Sequence, residues 1–144
     1  MKKIILIFAT FLIAFSSSLA QSEIEGIWYN TMKTGKVKIV EVEGKFFGEI
    51  VWLEEPIDEK TGKPKTDINN PNESKHQDAI IGLDVLEGFV CKEKGVYVDG
   101  KIYDPENGKT YSCKMTLKDN DNLDVRGYIG FSLLGRTEKW TRTN

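Results

Sequence analysis

The sequence predicts an all-β protein, a small antiparallel barrel wound up-and-down, and three observations predict it. Apolar and polar residues alternate with period two along most of the chain beyond residue 20. Turn-forming residues recur at close intervals, and helical periodicity is nearly absent. Many short strands make a sandwich or a barrel; consecutive hairpins favour the barrel, whose closure removes exposed edges. At 144 residues one domain is expected, because two would each be too small to bury a useful core.

The elements follow in order. Ile24–Asn30 supplies the first strand. Lys36–Glu43 alternates but slips phase between Ile39 and Val40, which predicts a bulge there. Glu43-Gly44-Lys45 reads as the tight turn into a strand with Phe46, Gly48, Ile50 and Trp52 on one face. Asp78–Gly88 is too dense in apolar residues for clean alternation and is the one candidate for a short helix. Val98-Asp99-Gly100-Lys101 carries the Asp-Gly hairpin signal, and Asp104–Lys109, with Pro105 and Gly108, reads as a longer turn. Thr110–Lys118 alternates cleanly, with Tyr111, Cys113, Met115 and Leu117 on the inner face. After the turn Asp119-Asn120-Asp121-Asn122, residues Leu123, Val125, Gly127, Ile129, Phe131 and Leu133 share a face. Arg136–Thr143 is the last strand and carries Trp140. Glu54–Gln77 breaks the pattern with three of the 4 prolines. A connection of that length is a lid or binding loop, or else a solvated excursion.

Met1–Ala20 reads as a secretory signal. Lys2 and Lys3 precede the apolar run Ile4–Phe15, and Ser18-Leu19-Ala20 offers small residues at the cleavage positions. The run is shorter than the ~20 apolar residues that span a bilayer, so a membrane anchor is not expected after cleavage. Cleavage after Ala20 gives an exported domain, periplasmic or secreted, of residues 21–144. Loss of Lys2 and Lys3 leaves 18 basic against 22 acidic groups, a mildly acidic balance. Cys91 and Cys113 then meet an oxidising compartment, yet with a strand between them they exceed comfortable disulfide reach, which favours free thiols. Cys91 shares a face with Phe89, so both cysteines are expected inside.

Composition excludes several functions. A formal charge of −2 gives no basic face for nucleic acid, and one His with two Cys is too few for an ordinary structural zinc site. A Cys–His–acid nucleophilic site would need His76, a surface residue of a polar loop remote in sequence from Cys91. Asp119–Asn122 resembles the start of a calcium loop, but Asp124 stands where glycine is needed and Gly130 where glutamate is. Asp67, Asn69, Asn70 and Asn72 offer oxygen ligands that turn chemistry explains equally well. No glycine-rich loop opens a helix to hold a nucleotide. No metal, cofactor or catalytic residue is therefore expected.

Several segments carry a family likeness: Gly26-Ile27-Trp28, Asp67-Ile68-Asn69-Asn70-Pro71, Ile102-Tyr103-Asp104-Pro105, Gly108-Lys109-Thr110-Tyr111, Arg126-Gly127-Tyr128-Ile129-Gly130, and Gly135-Arg136-Thr137 with Trp140. In this order they resemble the secreted bacterial proteins of domain-of-unknown-function family 2147. The resemblance covers essentially the whole chain after the signal and implies an exported β-barrel without an assigned activity. A second likeness is to lipocalin-like barrels, which place Gly-x-Trp on the first strand and a basic side chain on the last. Here those are Gly26 and Trp28 with Arg142 or Arg136, a guanidinium stacked on an indole.

The expected function is non-enzymatic binding of a small apolar or amphipathic ligand. The inward set Ile50, Trp52, Met115, Ile129 and Phe131, mixed with Gly48 and Gly127, can leave a cavity. Tyr103, Asp104, Arg126 and Tyr128 add polar groups at its mouth. Two alternatives stand beside it. One is an envelope protein-interaction module using the long loop; the other is an enzyme built on Asp104, Tyr103 and Arg126.

Overall fold

The computed structural model describes residues 23–131 and 133–144. Met1–Ala20, read as an export signal, lies outside the described residues. Eight strands close into a barrel in sequence order, every neighbouring pair antiparallel. They are β1 (Gly26–Tyr29), β2 (Gly35–Val42), β3 (Lys45–Leu53), β4 (Asp84–Glu93), β5 (Val96–Asp104), β6 (Lys109–Asp119), β7 (Asn122–Tyr128) and β8 (Gly135–Arg142). Odd-numbered strands run toward one end, here called the mouth. The β1–β2, β3–β4, β5–β6 and β7–β8 connections gather there.

The inward face is apolar. Trp28, Ile39, Phe46, Leu86, Phe89, Tyr97, Met115, Leu123, Val125 and Trp140 are buried in one cluster. Exposed positions on the outer face include Lys38, Glu49, Lys101, Lys114 and Thr137. This is the reverse of a membrane-spanning barrel, which carries its apolar band outside. Among the described residues, no helix is long and apolar enough to cross a membrane.

Closure rests on a short seam. β1 pairs with β8 at only two positions, Trp28 with Arg142 and Tyr29 with Thr141. The Arg142 guanidinium compensates for the missing ladder. It lies 4.2 Å from the Trp28 ring centroid, and Nη1 donates to the Glu25 carbonyl at 2.8 Å. Nη2 donates to the Glu23 carbonyl at 2.6 Å and Nε to that of Asn120 at 2.5 Å. Trp28 Nε1 donates to the Ile24 carbonyl at 2.9 Å, so the indole is held on both its face and its edge. Gly26 sits at φ 138°, and a Cβ there would overlap Arg142 Nη1. Arg142, not Arg136, is the basic partner of Gly26 and Trp28.

Several expectations need correction. Lys36–Val42 alternates without a slip, pairing Ile39 with Gly48 and Val40 with Phe47. The bulge is on β3 instead: Val37 pairs with Ile50 and Lys36 with Trp52, leaving Val51 as the extra residue. That insertion turns Trp52 to the outer face. There it meets Tyr29 edge-on at 6.0 Å and Lys36 Nζ at 4.8 Å.

Asp99-Gly100 is a bulge inside β5, not a hairpin turn; the turn is Lys94-Gly95. A Cβ on Gly100 would overlap the Phe89 ring, so packing between strands decides that residue. Asp78–Gly88 holds no helix. Ile80 is buried against the core, and β4 begins at Asp84. The helical turn described is the 3-10 segment Glu73–Lys75, capped by Asn72.

β7 stops at Tyr128, because Gly130 at φ 72° takes the chain out of the sheet. Ile129 and Phe131 therefore lie in the β7–β8 connection, exposed rather than inward. Both cysteines are free: Cys113 is buried, whereas Cys91, near the β4–β5 turn and beyond the packed layers, is exposed.

Replacing Arg142 removes three donors to backbone carbonyls and the cover on Trp28. Arg142→Ala is expected to lower the unfolding free energy by roughly 2–3 kcal/mol in a urea titration. Arg142→Lys should recover less than half of that, since an ammonium cannot fork across three carbonyls. Amide exchange in Ile27–Tyr29 should accelerate in step.

Candidate functional site

The two halves of the barrel interior differ. Toward the sealed end Trp28, Phe89, Met115, Leu123 and Val125 leave no exposed surface to speak of. Toward the mouth, Ile102, Tyr111, Gly127 and Glu138 at inward positions of β5–β8 stay partly accessible, and Arg136 at the rim is exposed. Register places them together. Ile102 pairs with Tyr111, Cys113 with Gly127, Gly127 with Arg136, and Val125 with Glu138. The recess thus has an apolar floor of Met115 and Val125 and a polar wall on β8.

Its wall is open because the seam is short. Gly135–Glu138 pair with β7 alone. Above Thr141 the Thr31 hydroxyl links the β1–β2 connection to β8, accepting from Lys139 N–H at 3.0 Å and donating to its carbonyl at 3.1 Å. On this stretch of β8, which has β7 as its strand neighbour, Arg136 is exposed and Glu138 is half-buried.

Glu138 is the principal charge inside. It accepts from Trp140 Nε1 at 3.2 Å. Burial pushes the Cys113 thiol up to about 12, and the negative charge of Glu138 adds to that. Cys113 is accordingly a protonated wall residue without nucleophilic character. Gly127 contributes space: a Cβ there would lie 3.5 Å from Ile102 Cγ2 and 3.6 Å from Tyr111 Cβ, ordinary contact. Any longer side chain extends into the recess.

The long connection closes the other side of the mouth. Residues 54–83 run from β3 past β4 to the β5–β6 turn, and they are built rather than loose. Ile57 bridges Pro64 and Thr66 bridges Ala79. Asp67 is fully buried; Oδ1 accepts from the Tyr103 hydroxyl at 2.8 Å and Oδ2 from Asn70 Nδ2 at 2.7 Å. Asn69 Nδ2 donates to the Pro105 and Glu106 carbonyls at 3.1 and 3.0 Å. Gly108, at φ 70°, lies so close under Asn69 that a Cβ would overlap its carbonyl. The latch is therefore Asp67–Asn70 seated on Tyr103 and the β5–β6 turn. His76 is half-buried and bonds the Asn70 carbonyl through Nε2 at 2.8 Å, which makes it a loop brace.

The sequence-derived site residues scatter. Met115 lies in the floor. Tyr103 belongs to the latch. Asp104 ties down its own turn, accepting from Glu106 N–H and Asn107 Nδ2, both at 2.9 Å. Arg126 stands on the outer face, Nη1 donating to Thr137 Oγ1 at 2.9 Å and Nη2 to the Leu133 carbonyl at 3.3 Å. Asp104 pairs with Lys109 and Arg126 with Lys114, which separates them by about 16 Å along β6. No Asp104–Arg126 constellation forms. Tyr128, opposite Ser112, also faces outward, and Trp52 and Phe131 are outside.

Glu138 was missed, although it falls between Arg136 and Trp140 on one period-two face. Asp67 was visible only as part of a motif, because burial of a loop carboxylate has no local signature. A depression of about 320 Å³ at the sealed end, lined by Glu23, Lys94 and the Asp119-Asn120 turn, lies away from all of this.

An up-and-down barrel of eight strands with Gly-x-Trp on the first, clamped by an arginine of the last, is a lipocalin-like barrel. The chain belongs to the family described as "Uncharacterized protein conserved in bacteria (DUF2147)", which it matches over residues 26–142. It is similar to a solved structure titled "Protein HP1028 from the human pathogen Helicobacter pylori belongs to the lipocalin family". That likeness has a TM-score of 0.73 and 26% identity, covering 85% of this chain and 84% of the other. No curated protein matches the chain.

Two outcomes check this geometry. Tyr103 ionises at about 12 in the fold against an ordinary 10.0, chiefly through burial and then its bond to Asp67. The neutral phenol therefore stabilises the fold fully below pH 10, and that contribution is lost as the pH rises through 12. Tyr103→Phe should flatten the alkaline loss of stability in this window and open residues 54–78 to limited proteolysis. Separately, a maleimide should label Cys91 in the native protein and Cys113 only after unfolding, with no mass change on adding reductant.

Proposed function

We propose that the protein binds a small amphipathic molecule in the mouth-half recess of its barrel, without chemical turnover. The observation that carries this reading is the contrast along the inward face. One half is sealed by apolar packing, while the other keeps Ile102, Tyr111, Gly127 and Glu138 accessible. Barrels of eight strands have an interior of the size that is either just filled or holds one small ligand. The lipocalin-family description of the similar structure supports the same reading.

The lining suggests the chemistry of the guest. Met115, Val125 and Ile102 accept an apolar body, and Met115 tolerates varied shapes. Glu138 is placed for a hydrogen-bond donor or a cation, the Tyr111 hydroxyl accepts from Asn107 Nδ2 of the β5–β6 turn at 3.2 Å, and Arg136 stands above them at the rim. A few polar groups in a mostly apolar concavity give orientation as well as affinity. Turnover has little support, since Asp104 is committed to its turn, Arg126 to the outer wall and Tyr103 to the latch. Export, suggested by Met1–Ala20, completes the reading: the barrel works outside the cytoplasm, and N-terminal sequencing of the exported form should begin at Gln21.

A solvatochromic hydrophobic probe titrated into the folded protein should bind saturably and quench Trp140, the indole that touches Glu138. Gly127→Leu is expected to weaken binding at least about tenfold while the fold persists, because its added atoms occupy the recess. Glu138→Gln should shift preference away from cationic probes. Unchanged affinity in Gly127→Leu would rule out the recess as the binding place.

A further inference from the structure

The exposed large apolar side chains are unevenly distributed. Four sit in the β7–β8 connection: Ile129, Phe131, Leu133 and Leu134 are 71%, 75%, 88% and 71% exposed. A fifth, Met32, is 80% exposed in the β1–β2 connection. The β1–β2 connection lies against β8, the strand that the β7–β8 connection opens into, through the hydrogen bonds between Thr31 and Lys139. An apolar cluster of this kind on a soluble face marks an interaction surface.

The β7–β8 connection holds its side chains outward by its own backbone. Phe131 N–H donates to the Ile129 carbonyl at 3.0 Å, and Leu134 N–H to that of Phe131 at 2.9 Å. Arg126 reaches the Leu133 carbonyl from the wall below. The four apolar groups thus project from a closed tip and do not fold back over the recess.

Charge identifies the occupant. Segments 30–36 and 126–139 contain Lys33, Lys36, Arg126, Arg136 and Lys139, and their one acid, Glu138, is turned into the barrel. Below the β1–β2 connection, the outer wall carries Tyr29 and Trp52 in edge contact, with Lys36 Nζ 4.7 Å from the Tyr29 ring. Apolar tips over a belt of amphipathic aromatic rings and cations are what a bilayer interface binds. A second copy meeting this face across a two-fold axis would bring cations against cations.

We propose that this corner of the mouth docks on an anionic phospholipid surface, with Phe131, Leu133, Leu134, Ile129 and Met32 entering the interface. Lys33, Lys36, Arg136 and Lys139 lie against the headgroups. The docking stands whether or not the barrel takes a ligand, since none of the inserting residues lines the recess.

Flotation with lipid vesicles tests it, using the chain from Gln21 to Asn144, which holds every strand of the closed barrel and omits the apolar N-terminal run. The chain should float with phosphatidylcholine vesicles containing about one-third phosphatidylglycerol, and less with phosphatidylcholine alone. Raising the salt should release it. The double substitution F131D/L134D should lower the bound fraction at least about tenfold, and Met32→Asp, on the other connection, by less. Circular dichroism checks that both remain folded; should F131D/L134D not fold, Met32→Asp and the salt dependence of the unsubstituted chain decide. Absence of flotation, equal flotation of the substituted chains, or indifference to lipid charge overturns the proposal. A concentration-dependent dimer that F131D/L134D dissolves, with no vesicle binding, assigns the face to a second copy instead.

Discussion

The contact on which the rest of this barrel depends is the Arg142 guanidinium across the first strand. An up-and-down barrel is stable only if its first and last strands meet, and here they share two residue pairs. Arg142 supplies what the ladder lacks by donating to carbonyls on both sides of the seam while covering the Trp28 indole. Delocalised charge and a planar fork suit arginine to this place, because it can stack and donate at once. Gly26 is the necessary counterpart, since any side chain there would occupy the guanidinium's position.

That economy at the seam shapes the site. Because β1 is four residues long, the mouth half of β8 has one strand neighbour instead of two. Inward residues on that stretch cannot be sealed, and they include the polar Arg136 and Glu138. On the opposite side, the connection between β3 and β4 is long enough to reach the β5–β6 turn, where Asp67 becomes wholly buried. A buried carboxylate is tolerable only with its oxygens satisfied, and Tyr103 and Asn70 supply the donors. The mouth is thus fixed shut on one flank and left open on the other. The open flank also bears the apolar, cation-flanked loops, so the recess and the outward-facing tips share one edge of the molecule.

Polar residues in the molecule divide cleanly by task. Asp119 and Asp58 accept backbone N–H donors in their turns, which holds their carboxyls below the usual range. Asp104 accepts from Glu106 N–H and Asn107 Nδ2 at the β5–β6 turn. These carboxylates look available in the sequence, but their lone pairs are committed to the backbone. Glu138 differs because a strand, not a turn, carries it, and its partner is a side-chain N–H.

Period-two alternation with closely spaced turns was enough for the all-β class, most of the strands and the inner positions of β6, and the consecutive hairpins favoured a barrel over a sandwich. The likeness to lipocalin-like barrels pointed to Gly26-x-Trp28 with Arg142 or Arg136, and the seam decides for Arg142. The misjudged positions share one cause. Alternation assigns a face only while the ladder is regular, and a single extra residue inverts it. Val51 moves Trp52 outside, and Gly130 ends β7 before Ile129 and Phe131 can enter. Asp99-Gly100 becomes a bulge because Phe89, on the next strand, needs the space. Burial of Asp67 and the inward turn of Glu138 depend on which distant strand ends lie beside them. Such neighbours are set by closure of the barrel, which no local stretch of sequence contains.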